Sequence, residues 1–204
     1  GESVAAIEMF HELSLELGCP EVPYDFSNDH TRVAYFRKQA QHHTAELYDN
    51  TRSRVTLMCG LPGSGKSHWI QENLPCDEFS RVSLDDTRKV MGVKPGSKNM
   101  GTVVQTCKEL AKGYLRRGTN FVWDSVNLDR ARRQAILGLF YDYKAHVRIV
   151  YCEAPHDRLW KQNQDREDEV PESHIRKLLR RWEVPTRTEA HQVLYVTGEG
   201  SKGR

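Results

Sequence analysis

The stretch 55-VTLMCGLPGSGKS-67 decides how this chain is read. Val55 to Cys59 form a short β-branched and apolar run that stops at a glycine-rich loop, and a helical pattern begins at about Lys66. A strand, a tight loop and a helix in that order are the setting that the string GxxxxGK[ST] needs to work as a phosphate cradle. The string Gly60, Leu61, Pro62, Gly63, Ser64, Gly65, Lys66, Ser67 fits it in full, with the fixed positions at Gly60, Gly65, Lys66 and Ser67. Glycines let successive backbone N–H groups face a phosphate, and the positive end of the following helix adds a favourable field. Lys66 is expected to bridge the β- and γ-phosphates of a nucleoside triphosphate, and the Ser67 hydroxyl to ligate Mg²⁺.

Outward from this loop, 79-FSRVSL-84, 119-TNFVWD-124, 147-VRIVYC-152 and 192-QVLYV-196 read as further strands. Helical patterns at 102–117, 129–143, 156–164 and 172–182 alternate with them. Such alternation predicts an α/β fold of the P-loop NTPase type, a central parallel sheet with helices on both faces. Thr186 and Glu189 have capping-box spacing, Pro171 followed by Glu172 suits the first turn of a helix, and 198-GEGSKGR-204 reads as a frayed tail. Residues 1–50 differ in character: helical segments near 3–17 and 31–46 flank a loop rich in Pro, Asn and Asp, with no strand. The expected division is a helical N-terminal extension over 1–50 and a kinase domain over 51–204, with a lid near 161–174. Gly1 reads as a cloning residue ahead of a helix already under way, so the chain is expected to be a piece of a longer protein.

A phosphate loop alone does not separate kinases from other NTPases, so the acceptor side must supply the distinction. The second strand ends as 83-SLDDTR-88 and carries Asp85, Asp86 and Arg88 to the C-terminal edge of the sheet, where open α/β folds bind ligands. A carboxylate there can take a proton from an attacking hydroxyl, and an arginine can hold an acceptor phosphate. The same acidic pair could instead cap a helix. The third strand ends 121-FVWDSVNL-128, which puts Asp124 beside the phosphate loop in a Walker B-like position, suited to the Mg²⁺ hydration shell. Downstream, 158-RLWKQNQDREDEVPESH-174 has a helix running into a charged loop, as a lid would, with Arg166 as its phosphate contact and Arg158 and Lys161 as weaker candidates.

Composition narrows the setting. Net charge is +2, so any nucleic-acid footprint must be local. Arginines cluster at Arg116 and Arg117, at Arg130, Arg132 and Arg133, and with Lys177 around Arg176 to Arg181; each cluster alone reads as a solvated helix face or as a path for a strand's phosphates. No apolar run approaches the roughly 18 residues of a membrane span, and no signal-peptide pattern is present, so a cytoplasmic location is expected. The five cysteines have no CxxC spacing and read as reduced, mostly buried thiols. No transition-metal site is expected. Trp123, Trp160 and His68 read as structural rather than as base-stacking or catalytic groups.

Together, GLPGSGKS, LDDTR, WDSVNL followed by RARR, the QNxxR lid and the VP turn resemble the kinase module of polynucleotide 5′-hydroxyl kinases over roughly residues 54–196. The N-terminal flank, with FSNDHTRVAYFRK and ELYDNTR, resembles the segment that precedes the kinase in bacterial HD-Pnk proteins, in which a metal-dependent HD phosphohydrolase is fused to the kinase. The resemblance implies that Asp85 is the general base toward a polynucleotide 5′-OH, that Arg88 contacts the phosphate near it, and that Arg166 is the lid arginine on the donor phosphates. It implies an NTP and Mg²⁺ as cofactors, a 5′-OH RNA or DNA end as partner, a role in nucleic-acid repair, and a fused N-terminal HD domain. Leu84 stands where the family has an arginine before the base, and Gln162 where it has a second lid arginine. Two other readings stay open: a nucleoside, sugar or antibiotic kinase using Asp85 in the same way, and a non-catalytic NTP-binding switch.

Overall fold

The computed structural model describes residues 26–165, 169–197 and 200–202. The helix expected over 3–17 and the lid candidate Arg166 lie outside them. The described residues separate into two compact units at Tyr48 and Asp49.

In the first unit the helix expected over 31–46 is shorter and starts earlier, as α1 (Asp29–Phe36). The Asn28 side chain caps it, accepting from the Thr31 N–H at 2.8 Å. Its C-terminus is closed by Lys38 in the left-handed conformation (φ 60°): the Gln39 N–H reaches the Ala34 carbonyl at 2.8 Å and the Lys38 N–H reaches that of Tyr35 at 2.9 Å. This is a Schellman motif, with lysine where glycine is usual. The chain beyond turns back, and the hydroxyls of Ser27 and Thr31 both donate to the Ala45 carbonyl, at 3.0 and 2.8 Å. Those bonds satisfy backbone that a longer helix would have claimed.

The second unit is built on β1 (Ser53–Cys59), β2 (Ser80–Ser83), β3 (Phe121–Asp124), β4 (Ala145–Cys152), β5 (Gln192–Thr197) and β6 (Gly200–Lys202). The strand order is β2-β3-β1-β4-β5-β6. The first five strands run parallel. Residues 200–202, read from sequence as a frayed tail, pair antiparallel with β5 and extend the sheet edge. The helices are α2 (Lys66–Asn73), α3 (Leu84–Val90), α4 (Met100–Arg117), α5 (Arg130–Asp142), α6 (His156–Gln164) and α7 (Glu172–Leu179). Among the described residues, no helix is long and apolar enough to cross a membrane.

Parallel strands covered on both faces need near-continuous apolar sequence, and β1 supplies it. Val55, Leu57 and Cys59 pack with Phe121, Trp123, Val147 and Ile149, under Cys107, Ala111 and Leu115 of α4 and Ile136, Leu137 and Phe140 of α5. Met58, Val122 and Val150 face the other way, onto Trp69 and Ile70 of α2 and Leu74. The fold is therefore an α/β P-loop architecture with helices on both faces of a five-stranded parallel sheet. After β1 the chain builds β2 and β3 on one side, then β4 and β5 on the other. The crevice beyond the C-terminal end of β1 is thus the topological switch point, and the phosphate loop occupies it.

Candidate active site

The loop between β1 and α2 is held from below. The Gly60 N–H donates to the Val126 carbonyl at 2.9 Å, and the Asn127 amide reaches the Met58 carbonyl at 2.7 Å, tying the ends of β1 and β3 together. A Cβ on Gly60 would lie 2.4 Å from the Cys152 carbonyl oxygen. One on Gly63 (φ +79°) would lie 2.7 Å from that of Leu159, so α6 can approach the loop only over a glycine. Gly65 is the N-cap of α2 and offers no capping side chain, so the first-turn N–H groups keep their capacity for an anion. Lys66 Nζ donates to the carbonyls of Gly60 at 2.9 Å and Leu61 at 2.7 Å, which stations the ammonium over the cradle.

On the acceptor side β2 ends at Ser83 and α3 begins at once. The Ser83 hydroxyl accepts from the Asp86 N–H at 3.1 Å, so serine is the cap; Asp85 and Asp86 lie in the first turn. Acidic groups there suit the helix dipole, yet Asp85 remains 67% exposed. Arg88, one turn on, has its Nε 3.8 Å from Asp85 Oδ1 and donates through Nη1 to the Val93 carbonyl at 3.2 Å. Carboxylate and guanidinium are thereby set side by side.

Asp124 closes β3 with 8% exposure. It differs from the sequence expectation in having a strong partner: Arg81 donates to Oδ2 through both Nε, at 3.1 Å, and Nη2. Burial works against the charge on Arg81, but the bonds and charge of Asp124 outweigh it and raise the guanidinium above its ordinary value. Sequence reasoning missed Arg81. Residues 62–67 of the phosphate loop, Arg81, Asp85, Asp86, Arg88 and Asp124 all line one cleft of about 790 Å³, together with Gln162 and Lys177. The oxygen donors Ser67 and Asp124 in that cleft are the hard ligands that a nucleotide-bound Mg²⁺ takes, so the residues present fit this ion.

Of the segment read as a lid, residues 161–164 end α6 and residues 172–174 begin α7. Asn163, fully buried, ties α6 to Val170 by donating to the Val170 carbonyl at 2.9 Å and accepting the Val170 N–H at 3.2 Å. In the amide orientation that suits its neighbours, Gln162 donates to the Gly63 carbonyl and accepts from Arg158 Nε at 3.3 Å. α6 therefore touches the phosphate loop directly.

Residues 55–185, well over half of the chain, match the family model described as an AAA domain. The chain belongs to this family. Membership carries nucleotide binding at a P-loop as its general property. Among solved structures, a protein of Chloroflexus aurantiacus described as a kinase aligns at 16% identity with a TM-score of 0.59, over 72% of this chain and 86% of that one. A chain of the Pnkp1/Rnl/Hen1 RNA repair complex aligns at 21% identity and 0.57, over 68% of this chain and 46% of that one, so this AAA domain spans under half of its length. A sugar kinase from Janibacter sp. aligns at 16% identity and 0.52, over 71% and 85%. At these identities the likeness is one of fold.

Two further residue sets in the AAA domain are architectural. Arg133, read from sequence with Arg130 and Arg132 as a possible phosphate contact, is wholly buried and bound to Glu189 and to the carbonyls of Asn127, Leu128 and Glu183. The thiols of Cys59 and Cys152, at the ends of β1 and β4, are unpaired, and burial pushes them up to about 12 and about 11. They are packing groups, not nucleophiles.

Proposed function

We propose that this chain is a P-loop phosphotransferase that moves the γ-phosphoryl group of an NTP to the 5′-OH end of a polynucleotide. The observation that carries the reading is one cleft lined both by Lys66 and Ser67 of the phosphate loop and by Asp85 and Arg88, whose charged groups lie 3.8 Å apart. Gly60 to Gly65 cradle the donor phosphates, Lys66 bridges the β- and γ-oxygens, and Arg166 joins them from the lid. Asp85 orients the acceptor hydroxyl and takes its proton as the new O–P bond forms. The bond from the γ-phosphorus to the β–γ bridging oxygen breaks, and the nucleoside diphosphate leaves with that oxygen. Arg88 steadies the acceptor phosphate next to the reacting hydroxyl. Ser67 and Asp124 would hold Mg²⁺, which would supply charge neutralisation at the donor phosphate oxygens.

The polynucleotide acceptor rests on the ordered motifs GLPGSGKS, LDDTR, WDSVNL and QNxxR, and on the basic residues Arg88, Lys89 and Lys177 in the lining of the cleft. On the same resemblance, residues 51–204 are the kinase domain, the N-terminal extension joins it to an HD phosphohydrolase, and the setting is nucleic-acid repair. A small alcohol such as a sugar or nucleoside is the second reading, because Asp85 would serve it identically and a sugar kinase shares the fold.

The test is transfer of labelled γ-phosphate to a 5′-OH oligonucleotide, with a 5′-phosphorylated oligonucleotide as control. Label on the 5′-OH strand alone, lost in Asp85→Ala, supports the reading; a nucleotide-binding protein that transfers nothing to either strand, but labels a sugar or nucleoside, replaces it with the second.

A further inference from the structure

Among the described residues, two arginines pair with nearly buried carboxylates, and the two pairs are built differently. Arg133 grips Glu189 with one nitrogen on each oxygen: Nε to Oε2 at 2.8 Å and Nη2 to Oε1 at 3.0 Å. Both partners are shut away, at 0% and 2% exposure. That is the closed fork of a structural pair. Arg81 instead places Nε and Nη2 on the same oxygen of Asp124, Oδ2, and leaves Oδ1 outside its grip. The pair lines the cleft, with the Arg81 side chain 43% and that of Asp124 10% exposed. The remaining nitrogen, Nη1, stands 3.8 Å from Asp86 Oδ2 in the first turn of α3.

The sheet register produces this arrangement. Arg81 is paired with Val122 and Ser83 with Asp124, so Arg81 and Asp124 are diagonal neighbours on one face of the β2–β3 ladder. A long side chain can span that diagonal; a carboxylate so nearly buried needs such a partner to stay ionised.

We infer that Arg81 is a positioning residue for the metal-facing carboxylate, fixing Asp124 by one oxygen so that the other meets the water shell of the nucleotide's cation. The inference rests on the phosphotransferase reading and extends it to a residue outside the phosphate loop, the LDDTR motif and the lid. Arg81 also carries the charge balance of the cleft, standing between Asp124 and Asp86. Lysine in its place keeps the charge but has a single nitrogen, and cannot grip one oxygen from two sides.

Cation binding tests this apart from catalysis. Mn²⁺ is titrated into the protein with a non-hydrolysable ATP analogue, and bound ion is read from the loss of the free Mn²⁺ resonance, for wild type, Arg81→Lys, Arg81→Met and Asp124→Asn. Loss of an outer-shell partner typically weakens a metal site about 10- to 100-fold. The expected result is a fall of about tenfold or more in Mn²⁺ affinity in both Arg81 variants, approaching that of Asp124→Asn, while analogue binding in EDTA stays within about twofold. Wild-type Mn²⁺ affinity in a folded Arg81→Lys protein overturns the inference and leaves the phosphotransferase reading standing. If Arg81→Met does not fold, Arg81→Lys decides alone. A wild type that binds the analogue neither with Mn²⁺ nor in EDTA overturns both.

Discussion

Arg133 and Glu189 are joined across 56 residues of sequence by two parallel bonds inside the core, and Arg133 spends its remaining nitrogen on three loop carbonyls. Glu189 Oε1 also accepts the Thr186 N–H at 3.1 Å, the bond that the Thr186–Glu189 spacing suggests. The pair thus fastens α5, the β3–α5 loop and the segment before β5 to one another. Removing one partner strands a buried charge, whereas replacing both by apolar residues of similar volume can be near neutral. Arg133→Met should therefore cost about 3–5 kcal/mol in urea denaturation, and Arg133→Met with Glu189→Leu should recover most of it. Arg130→Ala and Arg132→Ala, on the exposed side of α5, should shift stability by about 0.5 kcal/mol or less.

Asp85 and Ser83 divide chemistry from stability at the β2–α3 junction. Because the serine hydroxyl caps α3, Ser83→Ala should cost about 1 kcal/mol of stability. Asp85 is exposed and is not the cap, so Asp85→Asn should leave the melting temperature nearly unchanged. If it is the base, kcat should fall about 10²- to 10⁴-fold with little change in the NTP KM. Unchanged turnover in Asp85→Asn would return the acidic pair to helix-dipole duty alone.

The difference between these two sites marks what sequence could and could not supply. The phosphate loop was legible because its strand, glycines and helix are contiguous, so one window contains the whole device. Asp85, Arg88 and Asp124 were legible as strand-end residues, and the structure brings all three to the cleft. Arg81 was not, because its meaning depends on β2 lying beside β3 in a register that nothing local states. Arg133 does carry a sequence signal: with Ile136, Leu137 and Phe140 it makes the i, i+3, i+4, i+7 stripe that α5 buries. Three arginines in four residues signal charge, while the helical periodicity puts the third on the core face. In α1 the helix end was hidden by Lys38, which takes a left-handed conformation without the glycine that would announce it.

Gly63 is where α6 and the phosphate loop meet, and an alanine there would face both a positive φ and the Leu159 carbonyl. Relief requires α6 to withdraw or the loop to open. Gly63→Ala should weaken nucleotide binding by about tenfold or more and cost about 1–3 kcal/mol of stability. Calorimetric titration with ADP and a melting curve on the same sample check both halves. Normal affinity would mean that α6 gives way without disturbing the cradle.

The buried thiols make a prediction about alkaline pH. Cys59 and Cys152 are pushed by burial from an ordinary 9.0 up to about 12 and about 11, and Cys107 is raised as well. In the unfolded chain all three ionise near their ordinary value while the folded protein keeps its protons. Their contribution is therefore intact below pH 9.0 and lost as pH rises toward about 12, because unfolding then releases protons. Urea midpoints should fall between pH 8 and pH 10.5, on the order of the ~1.4 kcal/mol per unit expected of a single such group, and the fall should be shallower in Cys59→Ala. At pH 8 a thiol reagent should modify exposed Cys76 well before the three buried cysteines.

Salt dependence separates the two acceptor classes without a mutation. A polynucleotide held along Arg88, Lys89 and Lys177 would release counterions from each phosphate contacted, and for a single strand log affinity falls with a slope of about −0.7 per contact in log salt. Three contacts predict a slope near −2, so acceptor KM should rise by more than about tenfold between 50 and 200 mM salt. The NTP KM measured in parallel controls for salt effects on the donor. Lys89→Ala should lower the slope by about 0.7 while leaving turnover at saturating acceptor unchanged. A small neutral alcohol makes no such contacts, so a flat acceptor KM across that range would assign the cleft to a sugar or nucleoside and leave Asp85 with the same proton to remove.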